Sequence, residues 1–173
     1  METNEKIYYI GIDPDVKKSG VAVWNTDNKR FVRLSGAKDN EMEIPIGMER
    51  PMEYEDLREF LICWKPTIIK VRLEAGWLLN KSNWHYKRGQ SRQFSERQAK
   101  NVGENHHAGK SIEKLLKRLG IDFELVKPQG KLDEIAFERL TKIHTLKSHQ
   151  DSRDAAMLVF EYHKIKNKLN ENR

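Results

Sequence analysis

Four carboxylates in this sequence stand where they could work together: Asp13, Glu74, Asp151 and Asp154. Asp13 closes the apolar run from Ile7, and Glu74 closes a β-branched run that begins at Thr67. Acids at strand ends can project together at one edge of a sheet, where open α/β sheets usually bind ligands. The plainer alternative is that Asp13 opens an Asx-type turn and Glu74 is an exposed strand end. Asp151 and Asp154 are three residues apart and share a helix face with Ala155, Leu158, Val159 and Tyr162. Two acids on a core-facing stripe repel each other and resist desolvation unless positive charge lies between them, and a divalent cation would supply it. Ser148-His149-Gln150-Asp151 also reads as a capping box, in which Asp151 merely closes a helix N-terminus. Oxygen donors without Cys and with few well-placed His favour a hard ion, Mg²⁺ with Mn²⁺ as substitute, over zinc. Two such ions about 4 Å apart can activate a water and stabilise the leaving oxygen of a phosphodiester. His149 could touch a metal or phosphate, against the alternative of a capped surface histidine.

The elements that must position these acids follow from hydrophobic period and turn chemistry. Ile7–Asp13 reads as a central strand, Asp13-Pro14-Asp15 and Ser19-Gly20 as turn signals, and Val21–Trp24 and Phe31–Ser35 as further strands. Residues 36–50 read as an irregular connection. Tyr54, Leu57, Leu61 and Trp64 fall at helical spacing before Pro66, and Thr67–Glu74 returns to strand. Residues 76–92 have no clean period and read as a long functional loop or the ragged start of a helix. A long helix is expected over about 94–119, with Ile112, Leu115, Leu116 and Leu119 on its apolar face and Gly120 at its end. Phe123–Val126 is a fifth strand, and helices follow over about 131–143 and 149–166. The order β-β-β-α-β-α-β-α-α implies an α/β fold, a mixed five-stranded sheet flanked by helices, and one domain over 1–173.

Composition narrows the partners. Of 173 residues 34% are charged, and the formal net charge is +6. Seven Lys/Arg and two Glu lie between Trp77 and Lys110, a surplus of five that holds nearly all of that charge. Lys81, Lys87, Arg88, Arg92 and Arg97 there interleave with Trp77, Trp84, Tyr86 and Phe94. Basic side chains neutralise phosphates while aromatics stack on exposed bases, so this stretch reads as a DNA-binding surface. The alternative for each tryptophan is packing into the core or a subunit interface. The one cysteine, Cys63, excludes an internal disulfide and is expected as a buried structural thiol. Without a membrane-length apolar run or a signal-peptide pattern, the expectation is a soluble cytoplasmic protein with no membrane partner.

Ile10-Gly11-Ile12-Asp13-Pro14, followed by Gly20-Val21-Ala22-Val23, resembles the first-strand signature of RuvC-type Holliday junction resolvases. Leu73-Glu74 resembles their second acidic position. Leu125-Val126-Lys127-Pro128-Gln129 and Asp151-Ser152-Arg153-Asp154-Ala155-Ala156 resemble their fifth strand and terminal helix. The resemblance runs over nearly the whole chain. It implies an RNase H-like fold and Mg²⁺, two ions per site, bound by Asp13, Glu74, Asp151 and Asp154. It further implies a homodimer that resolves four-way junctions by paired symmetric nicks. Lys131, read as the start of the penultimate helix, matches a basic residue that in the family lies near the scissile phosphate. Trp77 and Trp84 are candidates for the aromatic that the family places at the junction centre. The family usually has glycine where this chain has Asp15; aspartate tolerates a left-handed backbone, which would preserve the turn. Residues 76–93 match the family poorly.

Three rival readings stand beside this one. The opening strand, Gly-x-Asp and turn also suit actin-like and sugar-kinase ATPases, but those need two lobes and more phosphate loops than this chain can supply. A non-catalytic module binding branched DNA is a second. A nuclease acting on other branched DNA or on an RNA–DNA hybrid is the third.

Overall fold

A computed structural model describes residues 6–34, 51–79, 91–145 and 147–160, apart from the side chains of Arg33, Leu34, Arg92 and Phe94. The expected connection over 36–50 and residues 161–166 of the expected last helix, Tyr162 included, lie outside the described residues; that helix ends at Val159, with Phe160 a non-helical C-cap. The elements are β1 (Tyr8–Asp13), β2 (Gly20–Asn25), β3 (Arg30–Leu34), α1 (Tyr54–Trp64), β4 (Ile68–Glu74), α2 (Arg92–Leu119), β5 (Phe123–Val126), α3 (Glu134–Thr141) and α4 (Gln150–Val159). Short 3₁₀ turns follow α1 at Lys65–Thr67 and β4 at Gly76–Leu78. The five strands form one sheet in the order β3-β2-β1-β4-β5. β1–β2 and β2–β3 pair antiparallel, while β1–β4 and β4–β5 pair parallel, so the sheet is mixed as expected.

Strand side chains alternate between faces, and here the two faces carry two cores. Ile10, Ile12, Val21, Val23, Val71 and Leu73 pack with Leu57, Phe60 and Leu61 of α1 and with Ile112, Leu115 and Leu116 of α2. The opposite face presents Tyr9, Ala22 and Trp24, which pack with Phe31, Phe137 of α3 and Ala155, Ala156, Leu158 and Val159 of α4. Helices therefore cover both faces, which is why β1 and β2 read as nearly unbroken apolar runs.

Two glycines let α4 lie almost on the strands. A Cβ at Gly11 would stand 2.0 Å from the Ala155 carbonyl oxygen, and one at Gly20 would stand 2.1 Å from that of Asp151. Neither side chain could exist without pushing the helix off the sheet. At the far end of α2, Gly120 adopts φ +64°. Its N–H donates to the Lys117 carbonyl and that of Ile121 to the Leu116 carbonyl, a Schellman stop.

Two expectations need correction. Cys63 is exposed. The buried face of α1 is set by Leu57, Phe60 and Leu61, and position 63 rotates off it. Lys131 does not start a helix; it lies three residues before α3. Asp133 is the N-cap there, its carboxylate accepting from the Ala136 N–H at 2.7 Å.

Candidate active site

Strand parity places the first two acids. β1 and β4 are parallel neighbours with Ile12 opposite Leu73, so Asp13 and Glu74 come one step later on adjoining strands. Ile12 and Leu73 face α1 and α2, and the following residues turn to the α4 side. The close approach at Gly11 and Gly20 then brings the first turns of α4, with Asp151 and Asp154, against the same corner. All four predicted acids meet there, and Lys131 joins them from the loop before α3. Its Nζ stands 2.8 Å from Asp154 Oδ2.

The corner opens into a cavity of about 210 Å³ walled by Asp13, Asp15, Glu74, Lys131 and Asp151 on one side and by Val102, Asn105 and His106 of α2 on the other. Asp154 is not on that wall; it is 9% exposed and lies beneath, held by Lys131 and by Gln150, whose Nε2 donates to Oδ1 at 2.7 Å. The Lys131 contact is poorly aligned, leaving Oδ2 without a well-formed hydrogen bond.

So many acids in a desolvated corner oppose one another's ionisation. Burial first, then Glu74, Asp151 and Asp154, push the Asp13 carboxyl up to about 8, against a smaller lowering by Lys131. Glu74 is raised by burial and by Asp154 and Asp151, with Lys131 opposing. Asp151 is raised by burial and by Asp15 and Asp154, with Lys131 and Arg153 opposing. Burial alone would lower Lys131, but contact with Asp154 and the charges of Asp13 and Asp151 outweigh it and raise its pKa.

The capping alternative for Asp151 is not realised. His149 occupies the N-cap of α4 without a side-chain cap bond, and Asp151 faces the cavity instead. His149 is not among the residues lining that cavity. Asp15 does not adopt the left-handed backbone that would suit a glycine there. Asp15 Oδ1 accepts from the Lys17 N–H at 2.9 Å and the Lys18 N–H at 3.5 Å, an Asx turn that needs no glycine.

Of the predicted DNA-binding residues, Trp77 is half-buried and packs against the α1–α2 core. Its indole lies edge-on to His106, with ring centroids 6.2 Å apart, and fills the space above Gly109, where a Cβ would come within 2.4 Å of it. Trp77 thus seats α2 beside the acids. Arg97 is exposed on α2, and Arg92 is the first residue of that helix. Lys81, Trp84, Lys87 and Arg88 lie outside the described residues.

Sequence reasoning missed the α2 wall and the polar bracing behind Asp154. Asn105 and His106 lie in a helical stretch whose apolar stripe is interrupted, and only the packing of Trp77 shows that this part of α2 faces the site. Arg153 sits inside the D-x-x-D segment and Gln150 immediately before it, yet nothing in their spacing distinguishes them from solvated helix residues.

Among the described residues no three His, Cys, Asp or Glu side chains are gathered tightly enough to enclose an ion as they stand. The donor set nevertheless fits a hard divalent cation. The cavity wall is oxygen-rich, three of its acids are raised, and the one ammonium group against Asp154 does not balance them.

No protein-family model and no curated protein matches the chain. Among solved structures, Thermus thermophilus RuvC in complex with a Holliday junction substrate matches with a TM-score of 0.51 at 16% identity, covering 95% of this chain and 96% of that one. A second Thermus thermophilus RuvC structure matches at 14% identity and a TM-score of 0.45, covering 92% and 97%. At such identity the first likeness speaks for the fold: this chain has the RNase H-like fold of RuvC, with its sheet mixed and helices on both faces.

Proposed function

We propose that the protein is a metal-dependent, structure-selective DNA endonuclease that resolves four-way junctions by paired symmetric nicks. The observation that carries this reading is the convergence of Asp13, Glu74, Asp151 and Asp154 at one sheet corner with Lys131 among them. In this reading the acids hold two Mg²⁺ ions, for which Mn²⁺ can substitute. The ions, when bound, supply an activated water and stabilise the leaving oxygen. Lys131 lies where it can meet the phosphate once a cation relieves it of Asp154. The basic surface of α2 and residues 81–92 carries the DNA, and the chain acts as one domain.

Symmetric nicking needs two sites, hence a homodimer. An apolar hollow of about 700 Å³ runs along α2 beside the β1–β2 turn, walled in part by Val16, Tyr54, Ala108 and Ile112. Val16 is 50% and Tyr54 40% exposed, large apolar groups that a second copy would cover.

The test is a labelled four-way junction incubated with protein and Mg²⁺ beside matched duplex, flap and RNA–DNA hybrid. Paired symmetric nicks confined to the junction are expected, with a dimer by sedimentation. Cutting of flap or hybrid instead would reassign the substrate, and binding without cutting in either metal would make the protein a branched-DNA-binding module.

A further inference from the structure

We propose that Gln150 and Arg153 are a positioning pair that fixes which oxygen Asp154 offers to its cation and holds the Lys131 loop against α4; this rests on the nuclease reading above. Gln150 Nε2 donates to Asp154 Oδ1 at 2.7 Å and to the Leu132 carbonyl at 3.1 Å. Its Oε1 accepts from Arg153 Nη2 at 2.9 Å. The guanidinium therefore decides the orientation of the amide: its oxygen faces the positive charge, so its nitrogen faces the carboxylate. A flipped amide would set oxygen against oxygen at Asp154.

Arg153 is itself only 1% exposed. A buried guanidinium is tolerated only where its donors are met, and among the described residues Leu132, Thr145, Lys147 and Gln150 supply acceptors. Nε donates to the Leu132 carbonyl at 3.2 Å, Nη1 to Thr145 Oγ1 at 3.1 Å, and Nη2 to the Lys147 carbonyl at 3.2 Å as well as to Gln150. Leu132 thus receives two donors from one turn of α4, immediately after Lys131. Lys131 in turn closes the circuit on Asp154 Oδ2.

The consequence is chemical. With Oδ1 held by Gln150, Oδ2 is the oxygen that Asp154 would offer a cation in place of Lys131. A partner that orients a metal-binding carboxylate without touching the metal typically changes metal affinity or activity by about 10–100-fold when removed.

The decisive variant is Gln150→Met, which keeps the length of the side chain and removes the amide. In the full-length protein, the Mn²⁺ dissociation constant measured by calorimetry and the Mn²⁺ concentration for half-maximal junction cutting should both rise about tenfold. Junction affinity in EDTA should stay close to wild type, while the melting temperature without metal falls because Arg153 Nη2 and Asp154 Oδ1 each lose a partner. Arg153→Lys, which keeps the charge and loses the fork, should shift Mn²⁺ dependence the same way if it folds. Wild-type Mn²⁺ affinity and half-saturation in Gln150→Met would overturn the positioning role, as would a loss confined to melting temperature. A wild-type protein that binds Mn²⁺ but cuts nothing overturns the nuclease reading instead, and the calorimetric comparison still decides the pair. A wild-type protein that binds no Mn²⁺ overturns both.

Discussion

At neutral pH and without metal, Asp13 is held largely protonated, because burial and then Glu74, Asp151 and Asp154 push its carboxyl up to about 8. Its folded pKa lies above the unfolded value of 3.8, so folding favours the proton. That contribution to stability is fully present below about pH 4 and is lost as pH rises through about 8. Asp13→Asn removes the ionisation. It should therefore stabilise the metal-free protein, by about 3 °C or more in melting temperature at pH 8.5 and by clearly less at pH 5. Melting curves at both pH values check this, and a variant less stable than wild type by the same amount at both would refute it. The same substitution should abolish junction cutting while leaving junction affinity in EDTA nearly intact. Because a metal-binding carboxylate must give up its proton, Mn²⁺ affinity should climb between pH 6 and 8, by up to about tenfold per unit. A flat calorimetric affinity over that range would separate Asp13 from the metal.

The secondary-structure elements bring the acids together through two tight contacts, and each can be tested by adding one methyl group. Gly11→Ala sets a Cβ 2.0 Å from the Ala155 carbonyl oxygen, backbone against backbone, so α4 must lift from β1. Destabilisation of about 3 kcal/mol is expected in denaturant unfolding. Gly109→Ala meets the Trp77 indole at 2.4 Å instead, and a side chain can be trimmed. Gly109→Ala alone should lower stability by about 1–3 kcal/mol, and adding Trp77→Leu should recover part of that loss. Strict additivity of the two substitutions would mean that Trp77 does not seat α2. These contacts also mark what the sequence could tell. Periodicity was enough for the strands, because β1, β2 and β4 bury apolar residues on both faces, and for α2, because Gly120 supplies a stop. The acids at 13 and 74 were readable from strand ends. The place of Lys131 was not, since Asp133 starts α3 only through its own side-chain bond to Ala136. Nor was the fate of Asp151: the capping box and the cavity-facing acid share one spacing, and only the packing of α4 on Gly20 chooses between them. Arg153 is the sharpest miss, a buried charge satisfied by carbonyls that sequence cannot place.

For the molecule as a whole, the charge is divided between a site and a surface. The corner holding four carboxylates repels DNA, yet the chain carries +6, and the stretch from Trp77 to Lys110 holds a surplus of five. In the proposed nuclease, the attraction would come from that stretch, at distances where salt screens it. Arg97 is an exposed basic residue of this surface, and Lys100 is only loosely engaged, 3.8 Å from Glu104. Each phosphate neutralised on duplex DNA adds about 0.9 to the slope of log affinity against log salt. Arg97→Ala should therefore weaken junction and duplex binding to a similar degree and reduce that slope by about one, as titrations from 50 to 200 mM salt would read. Cutting at saturating protein should stay within about twofold of wild type, because a phosphate contact remote from the acids holds the DNA without ordering the reacting atoms. An unchanged slope would take Arg97 off the DNA surface. A lost cutting rate at unchanged affinity would instead mean that α2 reaches the reacting phosphate, and would shift the functional weight of the basic stretch from binding to catalysis.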